Sequence, residues 1–378
     1  MTTHELAIKY TTECKLLNIL PHQAILTQFN NSSPTMDLII RGNDKINFHQ
    51  RIQDTTLFPI VTALKPFAQQ IIIIDLSYNQ IQDDGANKLG DLIKDAISLK
   101  VLILKSNSIG PTGAKSLRKA LKMVSTIEEL DLSNNFIKTD GSMSLTKLLF
   151  THTNLHKLDL GNNEIDHDGI IAITSVMNLT NNTLRELNLN SPLYNSIGQE
   201  MCIHLGKMLA SNNSLKRLSL QKHKIRCDGL YIISEHLLDN NTLEVFDLSA
   251  NEIGVEGCTA IGKYLTSGKC VLNTLYLSSN RTGDLGAKSL AFALESNKSL
   301  KVLTLNYNRI NDLGLCLLAE GLDSNNSLLC LTLFGNNFAQ KSMGMFAKLQ
   351  GSRKNWSTDF QIYMVDSSFD MAKIDIQL

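Results

Sequence analysis

The stretch Leu130-Asp131-Leu132-Ser133-Asn134-Asn135 is followed 28 residues later by Leu158-Asp159-Leu160-Gly161-Asn162-Asn163. Asn79 and Asn107 stand at the same spacing upstream, and each of the four asparagines closes the pattern L-x-x-L-x-L-x-x-N with conservative swaps. The series runs on through Asn195, His223, Asn251, Asn280, Asn308 and Asn336. Six residues after the marker comes a glycine, as at Gly85, Gly113, Gly141, Gly257 and Gly314, and four further on an aliphatic residue, as at Leu89, Leu117, Ile173 and Leu318. Chance does not phase three residue types at one period over this distance. The chain is therefore an array of units, each too small to bury its own apolar face.

The spacing has a physical reading. In a short strand the two leucines of L-x-L point inward and the residue between them points out. The marker asparagine falls where the chain turns inward, and its amide both donates to and accepts from backbone groups that a sheet leaves unpaired. Stacked from repeat to repeat, Asn79, Asn107, Asn135, Asn163, Asn251 and Asn308 are expected to form a buried structural ladder. Leu117, Leu121 and Val124, or Leu290 and Leu294, then lay a helical apolar stripe on the back of the sheet. The Ser/Asn-rich segments 211–214 and 324–327 end their helices, and Asn212 reads there as an exposed residue that tolerates alanine. The expected fold is an α/β solenoid, a horseshoe with a parallel sheet on the concave face and helices on the convex face.

Over roughly residues 66–345 the pattern resembles the ribonuclease-inhibitor-like subtype of leucine-rich repeat proteins. That resemblance implies a leucine-rich repeat solenoid, largely intracellular, that works by binding other proteins, often through the concave sheet. The organisation read from the residues is an N-terminal helical cap over 1–37, a repeat array over 38–345 whose first repeat is degenerate, and a C-terminal cap over 346–378. In the first, Leu6 to Leu26 reads as one or two short helices broken at Pro21. In the last, Phe360 to Val365 alternates as a strand would on an open edge, and the single tryptophan, Trp356, reads as packing. One repeat is irregular: the interval from Asn163 to Asn195 is 32 residues, the surplus falls in Ser191-Pro192-Leu193-Tyr194, and Met201 replaces the glycine. The next repeat carries His223 at the marker place, read as a satisfied interior histidine.

Composition narrows the function. The 378 residues carry 36 basic and 36 acidic side chains, a formal net charge of zero, which argues against nucleic acid as partner. About 60 leucines and about 35 asparagines stand well above ordinary usage. The opening segment MTTHELAIKYTTECKLLNIL has no apolar core of signal-peptide length, and Ile71 to Ile74 is cut by Asp75, so no membrane insertion is expected. Seven scattered cysteines without a C-x-x-C pair read as reduced, buried thiols. The compartments this allows are the cytoplasm, the ciliary axoneme and the nucleus, with a monomer working inside a larger complex.

Catalytic patterns are absent from the sequence. There is no G-x-x-x-x-G-K-[ST] phosphate loop, no H-E-x-x-H and no G-x-S-x-G elbow. His152 and His156 bracket a helix-to-strand turn rather than sharing a helical face, so no metal and no cofactor is expected. The reading is a protein that is not an enzyme. The alternative is a GTPase-activating protein of the Ran class, which uses the same repeat subtype. It would need an early-repeat arginine able to stabilise phosphoryl-transfer charge, and Arg41 in Ile40-Arg41-Gly42 is the candidate, although the Phe-x-Gly-Arg-like loop and an acidic tail are missing.

The outward strand positions point to a partner site. Asp75, Asp131 and Asp159 occupy one exposed position in early repeats, and Asp247 continues that row. Later repeats carry Tyr276, Thr304, Tyr307, Thr332 and Phe334 instead. Tyr276 and Phe334 face away from the core-facing Leu275, Leu277, Leu331 and Leu333. Tyr276, Tyr307 and Phe334 are expected to form the apolar centre of a protein-binding site, with Asp75, Asp131 and Asp159 steering a basic partner segment toward it.

Overall fold

A three-residue strand followed by a helix of about three turns is the smallest unit that exposes one apolar edge to each neighbour, and the chain repeats it. The computed structural model describes residues 3–30, 37–45, 47–151, 154–193, 199–352 and 361–363. It divides into two compact units, Met1–Ser219 and Leu220–Leu378, with the boundary just before His223.

Unit 1 opens with helices α1 (Thr3–Leu16) and α2 (Gln23–Asn30), joined through the segment that holds Pro21 and packed by an edge-to-face contact of Tyr10 on Phe29. Strand β1 (Leu38–Ile39) and helix α3 (Asp54–Leu64) follow, then β2 (Ile73–Asp75), α4 (Asp83–Ile93), β3 (Val101–Ile103), α5 (Pro111–Leu121), β4 (Glu129–Asp131) and α6 (Lys138–Thr151). The unit ends with β5 (Lys157–Asp159), α7 (His167–Leu179), β6 (Glu186–Asn188), α8 (Gln199–Ser211) and β7 (Arg217–Ser219). Unit 2 holds α9 (Arg226–Leu237), β8 (Val245–Asp247), α10 (Val255–Thr266), β9 (Thr274–Tyr276), α11 (Gly283–Ser296), β10 (Val302–Thr304), α12 (Asp312–Asp323), β11 (Cys330–Thr332), α13 (Gln340–Ser352) and β12 (Gln361–Tyr363).

Each unit is a solenoid of these turns, with a parallel sheet on one side and helices on the other. Leu102, Leu130, Leu158 and Leu187 lie in register on adjacent strands of unit 1, and Phe246, Leu275, Leu303 and Leu331 do so in unit 2. All are buried against helical residues such as Leu117 and Leu290. Helices α11 and α12 approach so closely that a Cβ at Gly321 would collide with the Ala291 backbone. Strand β12 continues the sheet of unit 2, pairing parallel with β11. Asn195, Tyr194, His152 and Trp356 lie outside the described residues.

The marker asparagines work as bridges. The Asn135 amide nitrogen donates to the carbonyls of Leu104 and Leu132, both at 3.0 Å, and its oxygen accepts from the Ile109 N–H at 3.0 Å. Asn107 does the same for Leu76, Leu104 and Ile81, and Asn163 for Leu132, Leu160 and Ile137. In unit 2, Asn280 bridges the carbonyls of Leu248 and Leu277 and accepts from the N–H groups of Asn251 and Ile253. His223, at the marker place, is fully buried, and its backbone N–H donates to Asn251 at 2.9 Å.

A second ladder runs where the helices return to the strands, and it corrects the reading of Asn212 as exposed. Asn212 is 2% exposed; its amide donates to Met177 and Asn181 carbonyls at 2.9 and 2.8 Å, while its oxygen accepts from the N–H groups of Ser214 and Leu215. Asn181, Asn297 and Asn325 repeat the arrangement. In these places a short amide terminates the helix and starts the next strand at once, and no other side chain reaches both.

A third set of bonds starts the helices. Asp83 accepts from the Gly110 N–H at 2.7 Å and Asp284 from the Asn311 N–H at 2.7 Å, each carboxylate capping the helix of the next repeat. Cys227 takes the same place, accepting from the Gly254 N–H at 3.3 Å.

Candidate functional site

The acidic row of unit 1 is less uniform than the strand pattern suggests. Asp75 was expected on the exposed face, but it is 2% exposed. Arg41, from the segment just after β1, lies against it with Nε 2.6 Å from Asp75 Oδ2, and the Ser77 N–H donates to the other oxygen. Asp75 is thus buried and paired and presents no free carboxylate to a partner, while Arg41, on which the GTPase-activating alternative depends, gives its Nε to Asp75 and keeps half of its side chain exposed. Ile103 stands between Asp75 and Asp131 in the register, which leaves Asp131 and Asp159 as the one adjacent acidic pair of the three. Both are half-buried. Below them Glu129 and Lys157 pair at 2.8 Å, and Glu186 and Arg217 at 3.5 Å, so that row is self-neutralised.

Burial, and next the facing charge of Asp131, push the Asp159 carboxyl above the usual carboxylate range, against hydrogen bonds from the Gly161 N–H and Asn188 amide that lower it. The sign for stability follows. As pH falls from neutral through the raised value, the folded chain takes up this proton before the unfolded chain does. The site then favours folding increasingly until the unfolded carboxylate itself titrates, near ~3.9. Asp131→Asn keeps an acceptor for the Ser133 N–H and removes the facing charge. It is expected to move the Asp159 titration downward in carbon-detected NMR and to shrink the acid-side gain; an unmoved titration would contradict the pairing.

In unit 2, Tyr276, Thr304 and Thr332 lie in register across β9, β10 and β11. The two threonines were expected to be exposed and are not: Thr304 is 0% and Thr332 2% exposed. Thr304 accepts the Ser278 hydroxyl at 2.9 Å and sits beside the larger Tyr276, so the short side chain is overtopped. Tyr276 and Phe334 are half-buried, and Tyr307 is 53% exposed.

Tyr307 and Phe334 form a built pair. Their rings meet edge to face with centroids 5.1 Å apart. The Tyr307 N–H donates to the Phe334 carbonyl at 2.7 Å, and the Phe334 N–H donates to the Asn306 side chain at 2.8 Å, so one repeat clasps the backbone of the next. The Tyr307 ring lies over Gly335, where a Cβ would run into it. Tyr307 has φ +52° and Gly335 +72°, so the loop that carries the ring is fixed by two left-handed residues around Asn308 and Asn336. Sequence reading found the rings and missed the glycine that gives one of them its place.

The same loops carry cations that sequence reading passed over. Lys222, Lys224, Arg226, Arg281 and Arg309 are exposed on the turns that follow the strands of unit 2. Glu252 lies 3.5 Å from Arg226 and 3.4 Å from Arg281. No group of three or more His, Cys, Asp or Glu side chains able to hold a metal occurs among the described residues. Burial pushes the Cys202 and Cys330 thiols up to about 11 and Cys258 up to about 12, so these sulfurs stay protonated at neutral pH and pack as small apolar groups. No helix among the described residues is long and apolar enough to cross a membrane.

A leucine-rich repeat family model matches residues 71–90, 96–117, 151–173, 239–262, 268–291 and 296–319, in phase with the strand–helix turns of both units. The chain carries leucine-rich repeats. Its repeats are similar to those of mouse leucine-rich repeat-containing protein 34, 31% identical over 196 residues, 51% of this chain and 47% of that protein. The human protein of the same name is 35% identical over 69 residues, 18% of this chain and 15% of its own length. The chain thus spans less than half the length of these curated relatives. Among solved structures, an internalin from Listeria monocytogenes covers 90% of this chain and 92% of its own at 14% identity, with a TM-score of 0.46. Leucine-rich repeat proteins generally mediate protein–protein interaction, their stacked turns giving an extended surface.

Proposed function

We propose that the chain is a non-catalytic, intracellular interaction scaffold that holds a protein partner on the sheet side of its repeats, with Tyr276, Tyr307 and Phe334 at the apolar centre of the contact. The observation that carries this reading is the Tyr307–Phe334 pair. A ring 53% exposed, braced edge to face and seated over a glycine, buries little on folding and is pre-organised to bury more on binding. Braced exposed aromatics are the usual anchors of an interface, because their order is established before the partner arrives. Asp131 and Asp159 remain the acidic feature of the unit 1 sheet face.

The test begins with a partner recovered by affinity purification from the native cell type. Hydroxyl-radical footprinting of the mixture is expected to protect Tyr276, Tyr307 and Phe334. Protection confined to exposed helical residues such as Phe150 and Phe292 would place the interface on the other face.

A further inference from the structure

We infer that the segment seated on the Tyr276–Tyr307–Phe334 patch is an acidic stretch of a partner protein that carries at least one apolar side chain. This rests on the reading of the patch as the binding surface and reverses the charge expected of the partner.

The argument is one of complementarity. The strand and turn stretches 276–283, 302–311 and 330–338, which carry the three rings, contain no aspartate or glutamate. They do contain Arg281 and Arg309, one residue past the marker in adjacent repeats, both exposed. Tyr307 and Arg309 flank the buried Asn308, and both have positive φ, at +52° and +58°, so ring and guanidinium leave one fixed turn. Further along the same edge of unit 2 come Arg226, Lys224 and Lys222. Of the carboxylates nearby, Glu252 is paired with Arg226 and Arg281, while Asp247, in register with Tyr276, accepts from the Gln221 side-chain amide and is, among the described residues, the one acidic charge left beside the rings, against the cations of the turns. Arg309 makes no ion pair among the described residues. The acidic residues expected to set the partner's charge belong to unit 1, where Asp75 is buried under Arg41.

Cations beside aromatic rings also suit single-stranded nucleic acid. A protein segment is favoured because Glu252 interrupts the cationic edge between Arg226 and Arg281, where a phosphate track needs an unbroken run, and because the whole chain has no net charge.

Selection of a displayed random dodecapeptide library on the immobilised full chain tests this. The enriched peptides are expected to be net negative and to contain an aromatic or aliphatic residue. The best of them, fluorescein-labelled, is then titrated by anisotropy against the wild type, the Arg281→Glu/Arg309→Glu variant and the Tyr276→Ala/Tyr307→Ala/Phe334→Ala variant, each checked for its melting curve. Weakening of about tenfold or more by both variants, the charge reversal acting most strongly at low salt, supports the inference. Enrichment of basic or neutral peptides that still require the three rings would keep the patch and overturn the acidic partner. Acidic peptides indifferent to the triple alanine change would overturn the patch itself. A library that yields no binder, or a uridine dodecanucleotide that binds more tightly than any peptide, would overturn the proposal as a whole.

Discussion

Asn135→Ala is expected to lower the stability of unit 1 by roughly 1–3 kcal/mol. The side chain serves the Leu104 and Leu132 carbonyls and the Ile109 N–H at once, all inside the solenoid. Alanine orphans the Ile109 N–H and leaves each carbonyl with only its second amide donor, Asn107 for Leu104 and Asn163 for Leu132, and a buried unsatisfied group costs ~1–3 kcal/mol. Because each turn touches only its neighbours, the damage should be local. Amide exchange is expected to accelerate at Ile109, Leu104 and Leu132 while Leu303 in unit 2 keeps its protection. Equal acceleration at both places would mean that the asparagine does not act as a bridge between adjacent turns.

Asn212→Ala is expected to cost roughly 2–4 kcal/mol, while alanine at the neighbouring exposed Asn213 stays within ~0.5 kcal/mol. Asn212 reaches back to two carbonyls of the preceding turn and forward to two N–H groups of its own, whereas Asn213 makes no such bond. Denaturant midpoints for the two variants give the comparison directly. Indistinguishable midpoints would reduce the second ladder to an incidental turn.

The contrast between the two ladders shows which parts of the fold are legible from residue order. The first is legible because the marker recurs in nearly every repeat and falls at the end of an L-x-L pair, where an amide both donates and accepts at the inward turn. The second is hidden because early repeats fill the same place with Ala96 and Val124, both fully buried. Its period therefore breaks, and an Asn beside Ser reads as solvent-facing loop. Strand alternation sets Thr304, Thr332 and Asp75 opposite the core-facing leucines and so reads them as exposed, yet it says nothing about what lies over that side, and all three are buried. Asp75 is covered by an arginine 34 residues earlier, in a segment outside the repeat phase, and no local pattern announces such a pair. The rings of Tyr307 and Phe334 could be seen as outward-facing. Their mutual bracing depends on Gly335 and Asn306, whose types are ordinary in any turn.

The cations around the patch are hard to read from residue order for a related reason. Asp131 and Asp159 share a strand position and form a visible row, whereas Arg281 and Arg309 lie in turns, where cations are commonplace. Only the placement of those turns beside the rings brings the arginines into the proposed contact.

The central claim is that a partner binds stoichiometrically through these rings. Isothermal titration of the recovered partner into the wild type, Tyr307→Ala and the triple alanine variant tests it most directly. The account predicts saturation at a fixed stoichiometry, a loss of ~1–3 kcal/mol for Tyr307→Ala and a loss of at least about a hundredfold in affinity for the triple variant. Unchanged affinity in the triple variant, with its fold intact by melting, would contradict it.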